Sequence, residues 1–275
     1  MDENEILSDG TAPENPGKKK KTVWIVLAAV LVLVAAVAAV ILLRPQEEIP
    51  EPTTEPTEAT EPVTEAPTEP QMLPHMAELY AQNPDIVGWI RVEGTKLDYP
   101  VMHSPDDEEK YIRTDFYGNV DLAGLPFISE DCTMDPESQN LVIYGHNMKN
   151  GTGFKTLYSF LKEDFREEHP TIYFSTLYEE RTYEVLSVFY DRVYKQADNN
   201  FKFYHFIDPA TAEEFDAGID YFQEKCEYDT EVDAEYGDSL ITLVTCSYHV
   251  RRGRLVVVAR EITDPVELET AAANP

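Results

Sequence analysis

The sequence is poor in cysteine and in basic residues, and both shortages exclude classes of function. Its three cysteines are an odd number, which rules out a complete disulfide framework and predicts at least one free thiol. It has no Cys-x-x-Cys pair and no Cys/His cluster at zinc-ligand spacing, so we expect no metal site and no cofactor. Lys and Arg number 22 against 52 Asp and Glu, and the net charge of -30 argues against a nucleic-acid partner.

One long apolar segment lies near the N-terminus. Residues 23–43 form an unbroken run of 21 apolar side chains, which as a helix spans roughly 30 Å, the thickness of the hydrocarbon core of a bilayer. A cleaved signal peptide would usually have an apolar region of about 7–15 residues before a small-residue cleavage site. This run is longer and ends in Leu-Leu-Arg-Pro, so the sequence predicts a retained transmembrane helix over residues 22–43.

The charges around this segment predict its orientation. Four lysines, at 18–21, precede it, and Arg44 is the one nearby cation that follows it. The positive-inside rule therefore makes residues 1–21 a cytoplasmic tail and places the rest of the chain outside the cell. Between residues 45 and 71, 21 of 27 residues are Pro, Glu or Thr and none is basic. Such a segment cannot bury a core, so residues 44–71 are predicted to form an extended stalk.

The remaining chain predicts one mainly β domain over residues 72–264, followed by a C-terminal tail, 265–275. Eight short runs rich in Val, Ile, Tyr and Phe, separated by turn residues, indicate a β-sandwich or a closed barrel. The runs are GWIRVE, LDYPVM, LPFISE, NLVIYG, TIYFST, RTYEVLSVFYDRV, LITLVTC and RLVVVARE.

Three helical patterns accompany the strands. The first, over 73–83, places Leu73, Met76 and Tyr80 on one face. The second aligns Phe154, Leu157, Leu161 and Phe165. The third, over 208–226, has Asp208 as its predicted N-cap and Pro209 at its first position. Its apolar stripe is Phe215, Ile219, Phe222 and Cys226, which predicts that Cys226 is a buried core thiol.

Cys246 is the candidate nucleophile among the three cysteines. A nucleophilic thiol needs a group that accepts its proton and donors that stabilise the resulting oxyanion. Cys246 ends an apolar run and precedes a turn with three arginines, Arg251, Arg252 and Arg254. Cys132 lies among acidic residues, which oppose thiolate formation, so we expect a structural role for it. Composition alone favours the alternative, in which Cys246 is a small buried core residue.

His146 is the most suggestive histidine, because it follows a predicted strand and adjoins Gly145, a place where a rigid scaffold holds an accessible side chain. A loop histidine that only binds backbone is the alternative. His249, three residues after Cys246, would point to the opposite face of a strand and is set aside. Surface roles are expected for the remaining four histidines, His75, His103, His169 and His205.

Together these segments resemble the sortases, and class B in particular. TLVTC (242–246) resembles the nucleophile motif of the family, RLVVVAR (254–260) the strand that begins with its catalytic arginine, and NLVIYGHNMKNGTGF (140–154) the segment of its catalytic histidine. NPDIVGWIRVEGTKLDYPV (83–101) is similar to its early strands. The resemblance implies an eight-stranded β-barrel with an N-terminal helical segment and a long helix between strands six and seven.

The resemblance also implies a mechanism on the outer face of a Gram-positive cell. Cys246 would attack a carbonyl in the C-terminal sorting signal of a secreted protein and form a thioacyl intermediate. His146 would act as general acid and then as general base, and Arg254 would bind the carbonyl or oxyanion. Thr245 would line the substrate site. An amine of the peptidoglycan cross-bridge would release the product, which makes the enzyme a transpeptidase.

Two points qualify what the resemblance implies. Arg251 and Arg252 compete with Arg254 for the arginine role, and we assign it to Arg254 because that residue begins the family-like strand. Class B sortases often carry Asp and Arg after the third strand, where this chain has LPFISEDCTMD, so the sorting signal stays open. Wall anchoring is favoured over the joining of pilin subunits.

Two functions other than that of a sortase are considered. In papain-like peptidases the cysteine precedes the histidine and opens a helix, whereas here the histidine comes first and the cysteine ends a strand. A Cys/His cell-wall peptidase is therefore disfavoured. The other alternative is a non-catalytic surface-binding domain on a stalk, with Cys246 as a core residue.

Overall fold

The structure, a computed structural model, describes residues 70–107 and 109–263. The predicted cytoplasmic tail, the predicted transmembrane segment, nearly all of the predicted stalk and the C-terminal tail lie outside these residues. Within the part of the chain that the structure describes, no helix is long and apolar enough to cross a membrane.

The described residues form eight strands, three α-helices and three 3₁₀ helices. The strands are β1 (Ile86–Arg91), β2 (Asp98–Met102), β3 (Phe127–Ile128), β4 (Asn140–Gly145), β5 (Thr171–Thr176), β6 (Glu180–Arg192), β7 (Leu240–Ser247) and β8 (Gly253–Glu261). The α-helices are α1 (Pro74–Gln82), α2 (Glu163–Glu168) and α3 (Ala212–Lys225). The 3₁₀ helices are η1 (Lys110–Ile112), η2 (Phe154–Leu161) and η3 (Phe203–His205).

The eight strands close into a barrel in the order β1-β2-β3-β4-β7-β8-β6-β5, and β5 pairs with β1 to complete it. The β2–β3 and β4–β7 pairs are parallel, and the other pairs are antiparallel. Each strand coincides with one of the eight predicted runs, so the predicted closed barrel is confirmed. The β4–β7 pair joins segments 100 residues apart, and it positions the candidate site.

The core lies inside the barrel and beneath α3. β7 is buried along nearly its whole length, from Leu240 to Thr245, which is typical of a strand covered on both faces. Its neighbour β8 buries Leu255 to Ala259 in the same way. Burial of a single such side chain is worth about 1.5–3 kcal/mol, so the two strands form a rigid support for the residues at their ends.

The N-terminal helix confirms the predicted helical segment but not all of its buried face. Met76 is fully buried and Leu73 packs partly against the same cluster. Leu79 completes this face, whereas Tyr80 is 37 % exposed. The prediction for Tyr80 was wrong because the i+3 neighbour of Met76, not the i+4 neighbour, faces the barrel.

The predicted helix that aligned Phe154 with Phe165 is two shorter helices. Lys162 is extended and separates η2 from α2. In η2 the fully buried residues are Phe154, Leu157 and Phe160, the spacing of three that a 3₁₀ helix requires. Leu161 and Phe165 are only partly buried.

The long helix α3 lies between β6 and β7, as predicted, but it begins later than residue 208. Thr211 is its N-cap, and the Thr211 side chain accepts a hydrogen bond from the Glu214 amide. Asp208 instead accepts hydrogen bonds from Ser138 Oγ and the Gln139 amide, which ties the loop before α3 to the loop before β4. The prediction of Asp208 as the cap was therefore wrong.

Cys226 follows the last turn of α3 and is half-buried rather than fully buried. Its sulfur accepts a hydrogen bond from the Val188 amide at 3.2 Å. The three aromatic and aliphatic members of the predicted stripe, Phe215, Ile219 and Phe222, are buried. Cys226 therefore joins the helix end to β6, at the edge of the core.

Candidate active site

The candidate site lies where the parallel strands β4 and β7 end side by side. Gly145 pairs with Thr245 at the last step of this ladder. His146 directly follows β4 and Cys246 is the next residue of β7. Parallel pairing therefore brings to one edge two residues that lie 100 positions apart in the sequence. A side-chain hydrogen bond also joins the two strands at this edge: Thr245 Oγ1 donates to the Gly145 carbonyl at 2.7 Å.

Arg254 reaches the same place from the other side of β7. In the antiparallel β7–β8 ladder, Cys246 and Arg254 are direct partners. Directly opposed residues of an antiparallel pair project to the same face of the sheet. The three strands β4, β7 and β8 therefore present His146, Cys246 and Arg254 at one end of the barrel.

One small cleft contains all three residues. Its volume is about 140 Å³. Its remaining lining is mostly apolar, and it consists of Ile112, Phe127, Tyr144, Gly145, Val244 and Thr245. The Phe127 and Tyr144 rings contact each other with centroids 5.7 Å apart. Such a cleft can hold a small apolar group against a thiol, an imidazole and a guanidinium.

The orientation of the His146 ring is defined by a backbone contact. His146 Nε2 lies 2.8 Å from the Ile112 carbonyl oxygen. A carbonyl oxygen only accepts, so Nε2 carries the proton in this contact, and Nδ1 of a neutral ring is left as an acceptor. The backbone carbonyl of η1 thus selects the tautomer, as an orienting carboxylate does in other catalytic sites.

Gly124 allows the Ile112 carbonyl to take this position. The φ of Gly124 is +55°, a region that favours glycine. A Cβ at residue 124 would lie 2.5 Å from the Ile112 carbonyl oxygen and 2.3 Å from that of Tyr111. Any residue other than glycine at position 124 would therefore displace the Ile112 backbone that orients His146.

Arg254 is better placed for chemistry than its two competitors. Its side chain is half-buried in the cleft, and Nη1 donates to the neighbouring Gly253 carbonyl at 3.0 Å. Within residues 70–107 and 109–263, no carboxylate lies within ion-pair distance of it. Its other N–H groups are therefore available to a ligand. Arg251 and Arg252 are exposed in the β7–β8 turn and do not line the cleft.

Thr245 lines the cleft, but its hydroxyl is engaged elsewhere. Only 2 % of the residue is exposed, and its Oγ1 donates to Gly145. The position therefore joins the two strands as well as bordering the cleft. Its predicted role in substrate binding stays a prediction.

His146 also borders a second, larger cleft, which Cys246 does not line. The volume of this cleft is about 350 Å³. Segments around β2, the loop before β3 and the loop after β4 line it, with Tyr99, Asp121, Ala123, Gly124, Leu125, Pro126, Asn150, Thr152 and Gly153. His146 thus lines two clefts.

The other candidate residues lie apart from the cleft. Cys132 is 2 % exposed, and burial raises the pKa of its thiol to about 11. His249 lies in the turn beyond β7, so the assumption that it belongs to a strand was wrong. It is exposed, and its Nδ1 is 2.8 Å from Ser247 Oγ. His103 is half-buried rather than a surface residue.

Comparison with known proteins supplies the family. The family model of the sortase domain matches residues 90–262, more than half of the chain. The chain belongs to the sortase family. Two curated sortase B proteins are similar over about 190 residues. The one from Listeria monocytogenes is 27 % identical over 68 % of this chain and 74 % of its own length. The one from Staphylococcus aureus is 29 % identical over 69 % and 75 %.

Solved structures agree with the sequence matches. The substrate complex of Staphylococcus aureus sortase B superposes with a TM-score of 0.62 at 29 % identity, covering 70 % of this chain and 86 % of that one. A Bacillus anthracis sortase B gives 0.61 at 30 % identity, with 73 % and 90 % covered. Clostridium perfringens sortase B gives 0.58 at 27 % identity, with 68 % and 98 % covered.

These findings place the chain among the class B sortases, cysteine transpeptidases that anchor surface proteins to the cell wall. The peptidase and the non-catalytic binding domain considered from the sequence are set aside by this membership. The segment that departs from class B, LPFISEDCTMD, does border the cleft, because its Phe127 is part of the lining.

Reasoning from the sequence missed two parts of this arrangement. The first is the Ile112 carbonyl, a backbone group 34 residues from His146, which carries no residue-type signal. The second is the pair of side chains that bind the Cys246 carbonyl, Asn147 and Tyr158. Asn147 adjoins His146, so its position next to a candidate histidine was the available signal.

Proposed function

We propose that Cys246 is the nucleophile of this class B sortase, with His146 as its acid and base and Arg254 as its oxyanion donor. The observation that supports the proposal is the meeting of these three side chains in one cleft at the ends of β4, β7 and β8. A thiol, an imidazole and a free guanidinium are the groups that acyl transfer through a thioester needs.

In the first half-reaction the Cys246 thiolate attacks a carbonyl in the sorting signal of a secreted protein. Arg254 binds the oxygen of the tetrahedral intermediate. The carbon–nitrogen bond then breaks, the imidazolium of His146 gives its proton to the departing amine, and a thioacyl enzyme remains. The apolar lining of the cleft favours this step, because a water-excluded site strengthens the hydrogen bonds to the developing charge.

In the second half-reaction an amine of the peptidoglycan cross-bridge attacks the thioester. The carbon–sulfur bond breaks, the product leaves as an amide, and the proton of the amine nitrogen passes to His146. We assign the entry of this amine to the second cleft, which His146 lines and Cys246 does not. Attack by an amine rather than water makes the reaction a transpeptidation.

The experiment uses the full chain in detergent micelles with a library of sorting-signal peptides, with and without triglycine. We expect ligated peptide only when triglycine is present, together with an acyl adduct on Cys246 in the mass spectrum of the trapped enzyme. Peptide cleavage that triglycine does not alter, or an adduct on another residue, contradicts the proposal.

We further propose that residues 22–43 span the membrane, with residues 1–21 in the cytoplasm and the barrel outside. The support is the length of the apolar run and the lysines before it. Protease added to intact protoplasts should remove the barrel and leave a small membrane-bound fragment. Release of the whole chain by high salt would contradict a spanning segment.

A further inference from the structure

The end of the β4–β7 ladder leaves the carbonyl group of Cys246 without a strand partner. β4 ends at Gly145, whereas β7 continues to Ser247, and the last paired residues are Gly145 and Thr245. A half-buried backbone carbonyl at such a position needs another donor. Two side chains supply it: Asn147 Nδ2 donates at 3.1 Å and the Tyr158 hydroxyl donates at 3.0 Å.

The helix η2, which carries Tyr158, also binds the backbone of His146. The amide of Phe154, the first residue of η2, donates to the His146 carbonyl at 2.8 Å. Tyr158 lies four residues further along η2. The carbonyl groups of His146 and Cys246 are therefore both bound from η2, and Asn147 adds a direct link from the residue after His146 to Cys246.

Close packing and hydrogen bonds hold η2 in place. Phe154 is fully buried and its ring packs on Gly145, where an added Cβ would lie 2.5 Å from the ring. The loop between β4 and η2 is closed by a bridge between Asn147 and Gly153. Gly153 has a φ of +62°, and its amide donates to the Tyr99 hydroxyl at 3.0 Å.

We propose that Asn147 and Tyr158 are positioning residues, which fix the peptide of Cys246 relative to His146. This inference rests on the proposed function, in which the Cys246 thiolate attacks the substrate carbonyl and His146 gives a proton to the departing amine. The sulfur of a cysteine is placed by its backbone and a single torsion angle, so a fixed peptide largely determines where the sulfur lies. Reacting groups must stay within about 0.5 Å of the productive geometry, and displacements of this size lower rates steeply.

Two variants each remove one donor. Tyr158→Phe removes the hydroxyl and keeps the ring, and Asn147→Ala removes the amide. In the full chain in detergent, each should lower the kcat of ligation about three- to tenfold, the effect of one hydrogen bond. KM for the peptide should stay within about twofold, because neither side chain lines the Cys246 cleft.

Each of the two variants has a matched control substitution away from the site. Tyr236 donates its hydroxyl to the Ala210 carbonyl at 3.3 Å, so Tyr236→Phe removes the same kind of bond away from η2 and the site. Gln139 Nε2 donates to the Asp238 carbonyl at 3.1 Å, at the opposite ends of β4 and β7. Gln139→Ala therefore matches Asn147→Ala. Both controls should keep the wild-type kcat.

A spectroscopic measurement separates positioning from general loss of stability. The ¹³C spectrum of protein labelled with [1-¹³C]cysteine has three cysteine carbonyl signals. The signal that is lost in Cys246→Ala is that of Cys246. Tyr158→Phe and Asn147→Ala should each move the Cys246 signal upfield, leave those of Cys132 and Cys226 in place, and keep the thermal unfolding midpoint of the matching control.

The outcomes distinguish this inference from the proposed function. Wild-type kcat in both variants, or an unmoved Cys246 signal, contradicts the positioning role while Cys246→Ala remains inactive. A kcat that falls only in proportion to lost folded protein contradicts it as well. Ligation by Cys246→Ala would instead contradict the proposed function itself. Tyr158→Phe keeps the test decisive if Asn147→Ala folds poorly, because it changes only one oxygen atom.

Discussion

Arg254 stands directly opposite Cys246 in the β7–β8 ladder, on the same face of the sheet. The guanidinium donates to the Gly253 carbonyl and has no carboxylate partner among the described residues. A cation held beside a thiol without a counter-ion is available to a substrate carbonyl. The pairing of these two strands thus brings together the proposed nucleophile and the proposed oxyanion donor.

The first prediction concerns the three proposed catalytic residues. Cys246→Ala should abolish ligation, because no other thiol lines the cleft within the described part of the chain. His146→Ala should lower kcat about 10²–10⁴-fold, and Arg254→Ala about 10²–10³-fold. Ligation rates and circular dichroism spectra of the purified full chain measure the effects.

Arg251→Ala is the control for Arg254→Ala, because Arg251 is exposed in the adjacent turn. It should ligate at the wild-type rate. Wild-type turnover in Arg254→Ala, or loss of activity in Arg251→Ala, would show that the arginine has been assigned wrongly.

The second prediction separates two roles of Thr245. Thr245→Val keeps the shape and removes the hydrogen bond to Gly145, so we expect a loss of about 1–3 kcal/mol in unfolding free energy and little change in KM. Thr242→Val is the control, since the Thr242 hydroxyl donates to Asn140 Oδ1 in the interior. It should destabilise similarly and leave kcat unchanged. A large rise in KM at unchanged stability would instead make Thr245 a substrate-binding residue.

The third prediction is selective alkylation. Because the pKa of Cys132 is raised to about 11 by burial, its thiolate fraction at pH 8 is about one in a thousand. Iodoacetamide at pH 8 should therefore modify Cys246 in the folded protein and leave Cys132 untouched until guanidinium is added. Peptide mapping by mass spectrometry measures both. Rapid labelling of Cys132 in the folded state would contradict its burial.

The fourth prediction is a pH dependence of stability that originates at His103. Burial lowers the pKa of His103 below its ordinary 6.5, although a backbone contact with Ile128 and the charge of Asp85 oppose this. The unfolded chain then binds more protons than the folded one as the pH falls through this range. The stabilisation is present above about pH 6.5 and is lost at lower pH.

His103→Gln should therefore lose less unfolding free energy than the wild type between pH 7 and pH 5. Urea unfolding curves at several pH values give the comparison, and His75→Gln, at an exposed position, is the control. Parallel curves for the wild type and His103→Gln would assign the pH dependence to other groups.

Much of the fold could be predicted because its signals are local. Each strand is a short run of β-branched and aromatic residues bounded by turn residues, and all eight were found. Long-range pairing carries no such signal. Nothing in the run that ends at Gly145 indicates that it pairs in parallel with the run that ends at Cys246. Family resemblance, rather than periodicity, brought His146 and Cys246 together before the structure did.

The failures have physical causes as well. Asp208 has the residue type of a helix cap, but a tertiary contact with Ser138 and Gln139 uses its carboxylate, and Thr211 caps α3 instead. The carbonyl that orients His146 belongs to Ile112, and a backbone group is present at every residue. No residue-type pattern could have selected it.

The strand order has a consequence for the timing of activity. β7 is inserted between β4 and β8, and it is the seventh strand to be synthesised. Until residues 240–261 have been made and paired, the histidine side of the site has neither thiol nor guanidinium beside it. Because pairing over such sequence distances is slow to form, we expect the proposed site to be assembled only when the barrel closes, at the end of folding.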